Sequence, residues 1–180
     1  MTTSKTSPEA AWAATAKRLD ALKPAVAKFT ICDDAALRTR LNEAKAATED
    51  AEATLNALGA EDEAARPMFE LRAKQAASEL SDAQKAFDRA AIVLRFKALP
   101  RQELEALQNA HPASEKEEEA GEEYAMDTFA PALISAASLD GMPADYARQC
   151  LDTWSAPDAQ ALWRAAWAIQ NQSRADLGKG

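Results

Sequence analysis

The feature that most constrains this fold is a pair of heptad seams joined by a short, glycine-led connection. Small or apolar residues recur at alternating steps of four and three over residues 37–58, and again over residues 69–94. This spacing is typical of helices that pack along a narrow seam. Gly59 follows the first seam and suits the left-handed position that ends a helix. The pattern predicts an antiparallel helical hairpin, a coiled coil within one chain, over residues 34–97.

Composition favours the same fold class. Hydrophobic residues make up 47% of the 180 residues, but much of this fraction is alanine, and aromatic residues are only 6%. Alanine has the highest helix propensity, while glycine and β-branched residues are sparse. An all-α protein is therefore expected. Residues 92–97 are the one stretch with strand character, which leaves two alternatives, a short strand or the frayed end of a helix.

Local signals divide the rest of the chain. Ser7 and Pro8 indicate a helix start, with the helix reaching Leu22 or Phe29. Pro100 opens a short helix that stops before Pro112. The predicted organisation is an N-terminal helix (1–33), the hairpin (34–97), a short helix (98–112), a mobile acidic linker (113–124), and a small helical bundle with a loose tail (125–180).

Two signals mark helices inside this bundle. Asp127 is a candidate cap for its first helix, and Ser155 begins an S-x-x-D helix start at the last one. A turn over residues 140–143 separates the two, with another helix beginning at or just after Pro143.

No constellation of catalytic or metal-ligating residues is visible. The single histidine, His111, precedes a proline and is best explained as part of a helix stop. Cys32 and Cys150 are far apart, fit no metal or redox motif, and are expected to be reduced thiols. The expectation is a protein that is not an enzyme and needs neither a metal nor a cofactor.

Charge excludes some partner classes. The net charge is −8 and the pI is about 4.8, with the basic residues interleaved among acids. Clustered lysine and arginine that could neutralise phosphates are missing, so neither nucleic acid nor an anionic membrane is an expected partner. No apolar run has the length of a membrane span and no secretory signal is present, so the predicted location is the cytoplasm.

Tryptophans concentrate near the C-terminus. Trp154, Trp163 and Trp167 lie within one short segment, and tryptophan is favoured at interaction hot spots. The alternative is that these rings simply pack the core of the bundle.

The order of several motifs resembles a known family. Residues 94–101 read L-R-F-K-A-L-P-R, followed by Leu104, Leu107 and His111-Pro112. Residues 127–134 read D-T-F-A-P-A-L-I, and residues 154–170 end in an alanine-rich helix. Together they are similar to tail assembly chaperones of the long-tailed bacteriophages that infect actinobacteria. The resemblance covers roughly residues 92–173, and departs from the family in a single Pro112 and a late Asn171.

This resemblance implies a function in the cytoplasm of the infected host. Such chaperones bind the long tape measure protein, keep it soluble while tail-tube subunits polymerise around it, and are absent from the mature virion. It also implies the tail-tube protein and a longer, frameshifted form of the chain as candidate partners, and Gly178-Lys179 is compatible with a slippery codon pair. The partner-binding candidates are large apolar residues of the matching segments: Phe96, Leu104, Phe129, Leu133, Trp154, Trp163 and Trp167.

The sequence is also compatible with another function and with more than one oligomeric state. The alternative function is a structural coiled-coil protein of the virion or of the head–tail assembly. The hairpin seam can be satisfied within one chain or by a second copy, so a homo-oligomer is a candidate state.

Overall fold

The fold is helical, as predicted. The computed structural model describes residues 8–59 and 63–173, and within them α-helices dominate, with one small antiparallel sheet of two strands. The elements in chain order are α1 (Pro8–Asp20), β1 (Val26–Ile31), α2 (Ala35–Asn56), α3 (Arg66–Ala90), β2 (Ile92–Lys97), α4 (Arg101–Ala110), α5 (Glu115–Glu119), α6 (Met126–Ala137), α7 (Ala144–Thr153) and α8 (Ala156–Ala168), followed by a 3-10 turn (Ile169–Asn171).

The chain forms two compact units. The described residues of 1–29 and 95–180 make up one, called here the composite unit because it uses two separate stretches of sequence. Residues Thr30–Leu94 make up the other, called the hairpin unit. Along the sequence, the boundary between the units falls within β1, after Phe29, and within β2, after Leu94.

The hairpin unit is built as the heptad seams predict. Asp34 caps α2 by accepting a hydrogen bond from the Leu37 N–H at 3.0 Å. The seam positions of α2 are all buried or half-buried, and the buried residues of the two helices are Leu41, Thr48, Ala51 and Ala83. Small residues at the seam let the two helix axes approach closely, and the antiparallel packing of α2 on α3 is confirmed.

The buried hydroxyl of the seam is satisfied locally. Thr48 donates to the Ala44 C=O at 2.8 Å, one turn back on α2. A polar residue therefore sits in an otherwise apolar seam without leaving a buried donor unpaired.

The first helix ends near Leu22, the earlier of its two predicted ends, and the later end at Phe29 is wrong. The helix ends at Asp20, and Val26–Ile31 form β1. Pro24 lacks an N–H and cannot continue the helix, and the β-branched and aromatic residues after it suit a strand. The strand alternative for residues 92–97 is confirmed by β2, so Leu94 belongs to a strand rather than to the helical seam.

Three local predictions also need correction. The α2 helix ends at Asn56 with Ala57 as its cap, so the C′ position falls on Leu58 and Gly59 is one residue beyond it. The first residue of α6 is Met126, so the N-cap is Ala125 rather than Asp127. The span 113–124 contains α5, because the Glu117 carboxylate accepts hydrogen bonds from the Ser114 N–H and hydroxyl at 2.8 and 2.7 Å. These bonds hold the pKa of Glu117 below its usual value.

Other helix boundaries are confirmed. The α4 helix begins directly after Pro100 and ends at Ala110, before His111. The α7 helix begins after Pro143. Ser155 caps α8 by accepting from the Asp158 N–H. The predicted cap Ser7, the connection at residues 60–62 and the tail at 174–180 lie outside the described residues.

Candidate functional site

The seven partner-binding candidates fall into three groups by exposure. Phe96, Phe129 and Leu133 are completely buried, so a partner finds no surface of these side chains in the folded chain. Leu104, Trp154, Trp163 and Trp167 are half-buried and leave part of each side chain accessible. All seven lie in the composite unit.

Five of the seven pack into one cluster. Phe129 and Leu133 of α6 form its centre together with Leu99, and Leu104, Trp163 and Trp167 pack around them. Side chains of α4, α6 and α8 all contribute to this cluster. Each helix carries its large apolar residues three or four positions apart, so these residues lie on one face of the helix.

Aromatic geometry holds this cluster together. The Phe129 ring lies 4.6 Å from Tyr124, 6.0 Å from Trp163 and 5.9 Å from Trp167, measured between centroids. The two indoles meet Phe129 edge-on and stack on each other at 5.5 Å, one turn apart on α8. Edge-to-face and stacked pairs of this kind add to the stability that burial itself provides. Trp163 and Trp167 therefore both pack against the core of the bundle.

The remaining two candidates lie away from this cluster. Phe96 is buried on β2 and forms an isolated antiparallel bridge with Ser138. Trp154 stacks on Phe29 of β1 with centroids 6.1 Å apart and rings nearly parallel. The structure thus does not bring all seven residues to one continuous surface.

Two side chains that the sequence analysis did not single out fasten β2 to the bundle. Asp140 accepts from the Arg95 backbone N–H at 2.7 Å and from the Arg95 guanidinium at 2.6 and 3.1 Å. The hydrogen bond from the Arg95 side chain lowers the pKa of Asp140. Gln170 accepts from the Leu99 N–H at 2.8 Å and donates to the Lys97 C=O at 3.1 Å and to the Ala166 C=O at 2.9 Å.

No local signal could have found these two residues. Asp140 lies 45 residues from its partner and Gln170 lies 71 residues from Leu99. Their acceptors and donors are mostly backbone groups, which carry no residue-specific pattern in a sequence.

The composite unit also has an open groove of about 500 Å³ between α6, α7 and α8. Its apolar surface comes from Met126, Ala130, Leu151, Ala159 and Trp163, and its polar rim from Asp127, Arg148, Asp152 and Gln160. Asp127, Arg148 and Asp152 are exposed, and none of the three has a salt bridge or side-chain hydrogen bond within the described residues. The exposed surface of the groove is thus about half polar and half apolar.

The described residues contain two free thiols and no assembled set of metal ligands. No group of three or more His, Cys, Asp or Glu side chains in residues 8–59 and 63–173 is arranged to hold a metal ion. Both thiols are buried, and burial raises the pKa of Cys150, which keeps this thiol protonated and unreactive near neutral pH. Among the described helices, none is both long and apolar enough to cross a bilayer.

Neither a known protein family, nor a curated protein, nor a solved structure matches this chain.

Proposed function

We propose that this chain is a phage tail assembly chaperone, which binds the tape measure protein in the host cytoplasm, keeps it soluble while the tail tube polymerises, and does not enter the mature virion. The tail-tube protein and a frameshifted longer form of the chain are further proposed partners.

One observation carries the proposal. The segments that bear the resemblance lie far apart in sequence, yet their apolar residues share one core. Leu99 from the first segment, Phe129 and Leu133 from the second and Trp163 and Trp167 from the third pack together. The three segments therefore belong to one folded unit, which is what a single binding surface built from them requires.

The half-buried residues of this cluster are the proposed client contacts. The stacked indoles of Trp163 and Trp167 expose part of their surface on α8, and Leu104 does so on α4. A holding chaperone needs apolar surface of this kind, rimmed by charge, and the net charge of −8 keeps such a protein dispersed.

The test is co-expression with the product of the longest open reading frame downstream of this gene, which the proposal takes to be the tape measure protein. The expected result is that the large protein is soluble only in the presence of this chain and co-purifies with it. Trp167→Ala is expected to reduce the soluble fraction, and Leu104→Ala to reduce it less. Tyr146→Ala is the matched control, because Tyr146 is an exposed aromatic residue on α7 outside the cluster.

Circular dichroism separates loss of binding from loss of fold. The proposal requires that a Trp167→Ala or Leu104→Ala variant with native helix content rescues less tape measure protein than the control does. A tape measure protein that stays insoluble beside the wild-type chain, with the chain purifying alone, rules the chaperone function out.

The alternative is a structural coiled-coil protein of the virion, and the hairpin unit favours it. Met68 and Leu71 are exposed on one face of α3, three residues apart. Contiguous apolar patches on a surface mark protein–protein contacts, and these two residues would be part of such a patch in an assembly. Mass spectrometry of purified particles distinguishes the two functions, since the chaperone is expected to be absent and the structural protein present.

A further inference from the structure

The two outer edges of the small sheet differ in how their backbone groups are bonded. On the β2 side, the Arg95 N–H donates to Asp140 at 2.7 Å, and the Arg95 C=O accepts from the Leu139 N–H at 2.8 Å. The Lys97 C=O accepts from Gln170 at 3.1 Å. The outer edge of β2 is therefore closed by the rest of the composite unit, and no further strand can add there.

The outer edge of β1 is open. The bond from the Ala98 N–H to the Ala25 C=O at 2.8 Å sets the register of the antiparallel pair. In this register the N–H and C=O groups of Val26 and Lys28 point away from β2. Both residues are exposed, and none of the described residues forms a hydrogen bond with these outward groups. β1 thus presents a short row of unpaired backbone groups, which is a template for another strand.

The side chains beside this open edge are cationic. Successive side chains of a strand alternate between the two faces of a sheet, so Val26 and Lys28 share one face with Arg95 and Lys97. The register places Lys28 opposite Arg95 and Val26 opposite Lys97. Of the three cations, only Arg95 has an ion-pair partner within residues 8–59 and 63–173. Because like charges opposite each other destabilise a sheet, this face favours a negatively charged neighbour.

The fold creates this cluster of cations, which the sequence does not show. Lys28 and Arg95 lie on either side of the hairpin unit in the sequence, and acidic residues alternate with basic ones over the stretch between them. Pairing of β1 with β2 brings the two cations together on a surface of a protein whose net charge is −8.

Charge also decides which kind of strand can add to β1. A second copy of β1 would bring lysine next to lysine, and lysine on an edge strand is a device that prevents such self-pairing. A strand with carboxylates at alternate positions would instead place opposite charges beside Lys28, which stabilises cross-strand pairs. The open edge therefore selects against this chain itself and in favour of an acidic partner.

We propose that an extended, acidic segment of a partner protein adds to the outer edge of β1 as a third strand. Its backbone bonds to the outward N–H and C=O groups of Val26 and Lys28, and its carboxylates lie on the face that carries Lys28 and Lys97. In strand addition, main-chain hydrogen bonds provide affinity and alternate side chains provide specificity. The inference does not depend on the proposed function, because it requires no tape measure protein.

NMR titration of the full chain with two short synthetic peptides tests the proposal. One peptide alternates glutamate with valine, and the other alternates lysine with valine. The glutamate peptide is expected to shift the backbone amide signals of Val26 and Lys28, to slow the exchange of these amides with D2O, and to bind about tenfold more tightly than the lysine peptide. Unchanged signals at both residues, or equal binding of the two peptides, overturns the inference.

A third peptide separates strand pairing from simple attraction of charges. It has the sequence of the glutamate peptide, but alternate backbone nitrogens are methylated, so it keeps its charge and cannot donate along one edge. Methylation on the edge that faces β1 is expected to abolish the protection of the Val26 and Lys28 amides, and methylation on the other edge to leave it intact. If both methylated peptides bind as tightly as the parent, no third strand forms.

A charge reversal on β1 tests the role of the lysine. Lys28→Glu is expected to weaken binding of the glutamate peptide about fivefold or more and to strengthen binding of the lysine peptide. Lys74→Glu is the matched control, because Lys74 is an exposed lysine on α3 without an ion-pair partner in the described part of the chain. Equal effects of the two changes, in variants of native helix content, would show that net charge and not the β1 edge attracts the peptide.

Discussion

At the scale of single residues, the composite unit depends on side chains that bond to backbone groups far away in sequence. Gln170 uses its carbonyl and its amide group to join the end of α8 to the segment after β2. Asp140 does the same for β2 itself through Arg95. The backbone groups that they bond are the N–H groups of Arg95 and Leu99 and the C=O group of Lys97. Backbone groups of this kind need a hydrogen-bond partner when they are removed from water.

Removal of the Gln170 side chain is expected to destabilise the protein. Gln170→Ala leaves the Leu99 N–H and the Lys97 C=O without this partner in a partly buried place, at a cost of about 1–3 kcal/mol. Urea unfolding measures the change. Gln172→Ala is the control, since Gln172 is exposed and its loss is expected to cost less than about 0.5 kcal/mol.

Acid sensitivity is expected from Asp140. Its pKa in the folded chain is lowered from the ordinary value of 3.8 by the hydrogen bond from Arg95. The unfolded chain therefore binds the proton more readily, and the stabilising contribution is present above the ordinary pKa and lost as pH falls through the lowered one. Asp140→Asn is expected to be less stable than wild type at neutral pH, and to lose less stability on acidification.

Thermal melting from about pH 7 down to about pH 3 checks this dependence. Asp145→Asn serves as the control, because Asp145 is exposed on α7 and has no partner among the described residues. An Asp140→Asn variant whose melting temperature falls as steeply as that of wild type would show that other carboxyl groups control the acid response.

At the scale of elements, the hairpin depends on small residues at the seam between α2 and α3. Ala83 is the buried residue of α3, and Leu41, Thr48 and Ala51 are those of α2. Close-packed interiors leave little free volume, so a larger side chain at such a position forces its neighbours apart.

Enlarging the seam is expected to weaken the hairpin. Ala83→Leu inserts three carbon atoms into a packed interface and is expected to cost about 1–3 kcal/mol. Ala77→Leu is the control on the same helix, because Ala77 is exposed and its replacement is expected to change stability by less than about 0.5 kcal/mol. Far-UV circular dichroism during urea unfolding measures both. Equal effects of the two changes would mean that Ala83 does not face α2.

The elements also show how far the sequence carried the prediction. Heptad spacing identified α2 and α3, and caps or prolines located α4, α7 and α8. These signals are local, because each depends on residues within one or two turns. β1 was missed although Val26, Phe29 and Thr30 suit a strand, because its partner β2 follows only after the whole hairpin.

The same distinction applies to the candidate site. The seven partner-binding candidates were chosen as large apolar residues of the matching segments, and five of them pack together. Their exposure could not be predicted, because burial of Phe129 depends on helices that meet only in the folded chain. The groove was missed for the same reason, since its nine lining residues come from three helices.

At the scale of the whole molecule, the two units carry different spectroscopic probes. All four tryptophans, at positions 12, 154, 163 and 167, belong to the composite unit, and the hairpin unit has none. Tryptophan fluorescence therefore reports the composite unit, while much of the helical dichroism comes from α2 and α3.

A change in either unit is expected to move one probe more than the other. Phe129→Ala removes the centre of the aromatic cluster at a cost of about 3–5 kcal/mol, and is expected to shift the fluorescence transition toward lower urea. Ala83→Leu is expected to shift the dichroism transition and leave fluorescence nearly unchanged. Coincident transitions in both variants would mean that the two units unfold as one cooperative system.

The division of the composite unit between residues 1–29 and 95–180 has a consequence for biosynthesis. The hairpin unit is a continuous stretch and is complete as soon as Leu94 has left the ribosome. The strand β1 emerges before the hairpin but must wait for its partner strand β2 and for Trp154, which stacks on Phe29. Domains fold as units during translation, so the hairpin is expected to form while β1 is still unpaired. A segment translated before the hairpin thus reaches its native contacts after it.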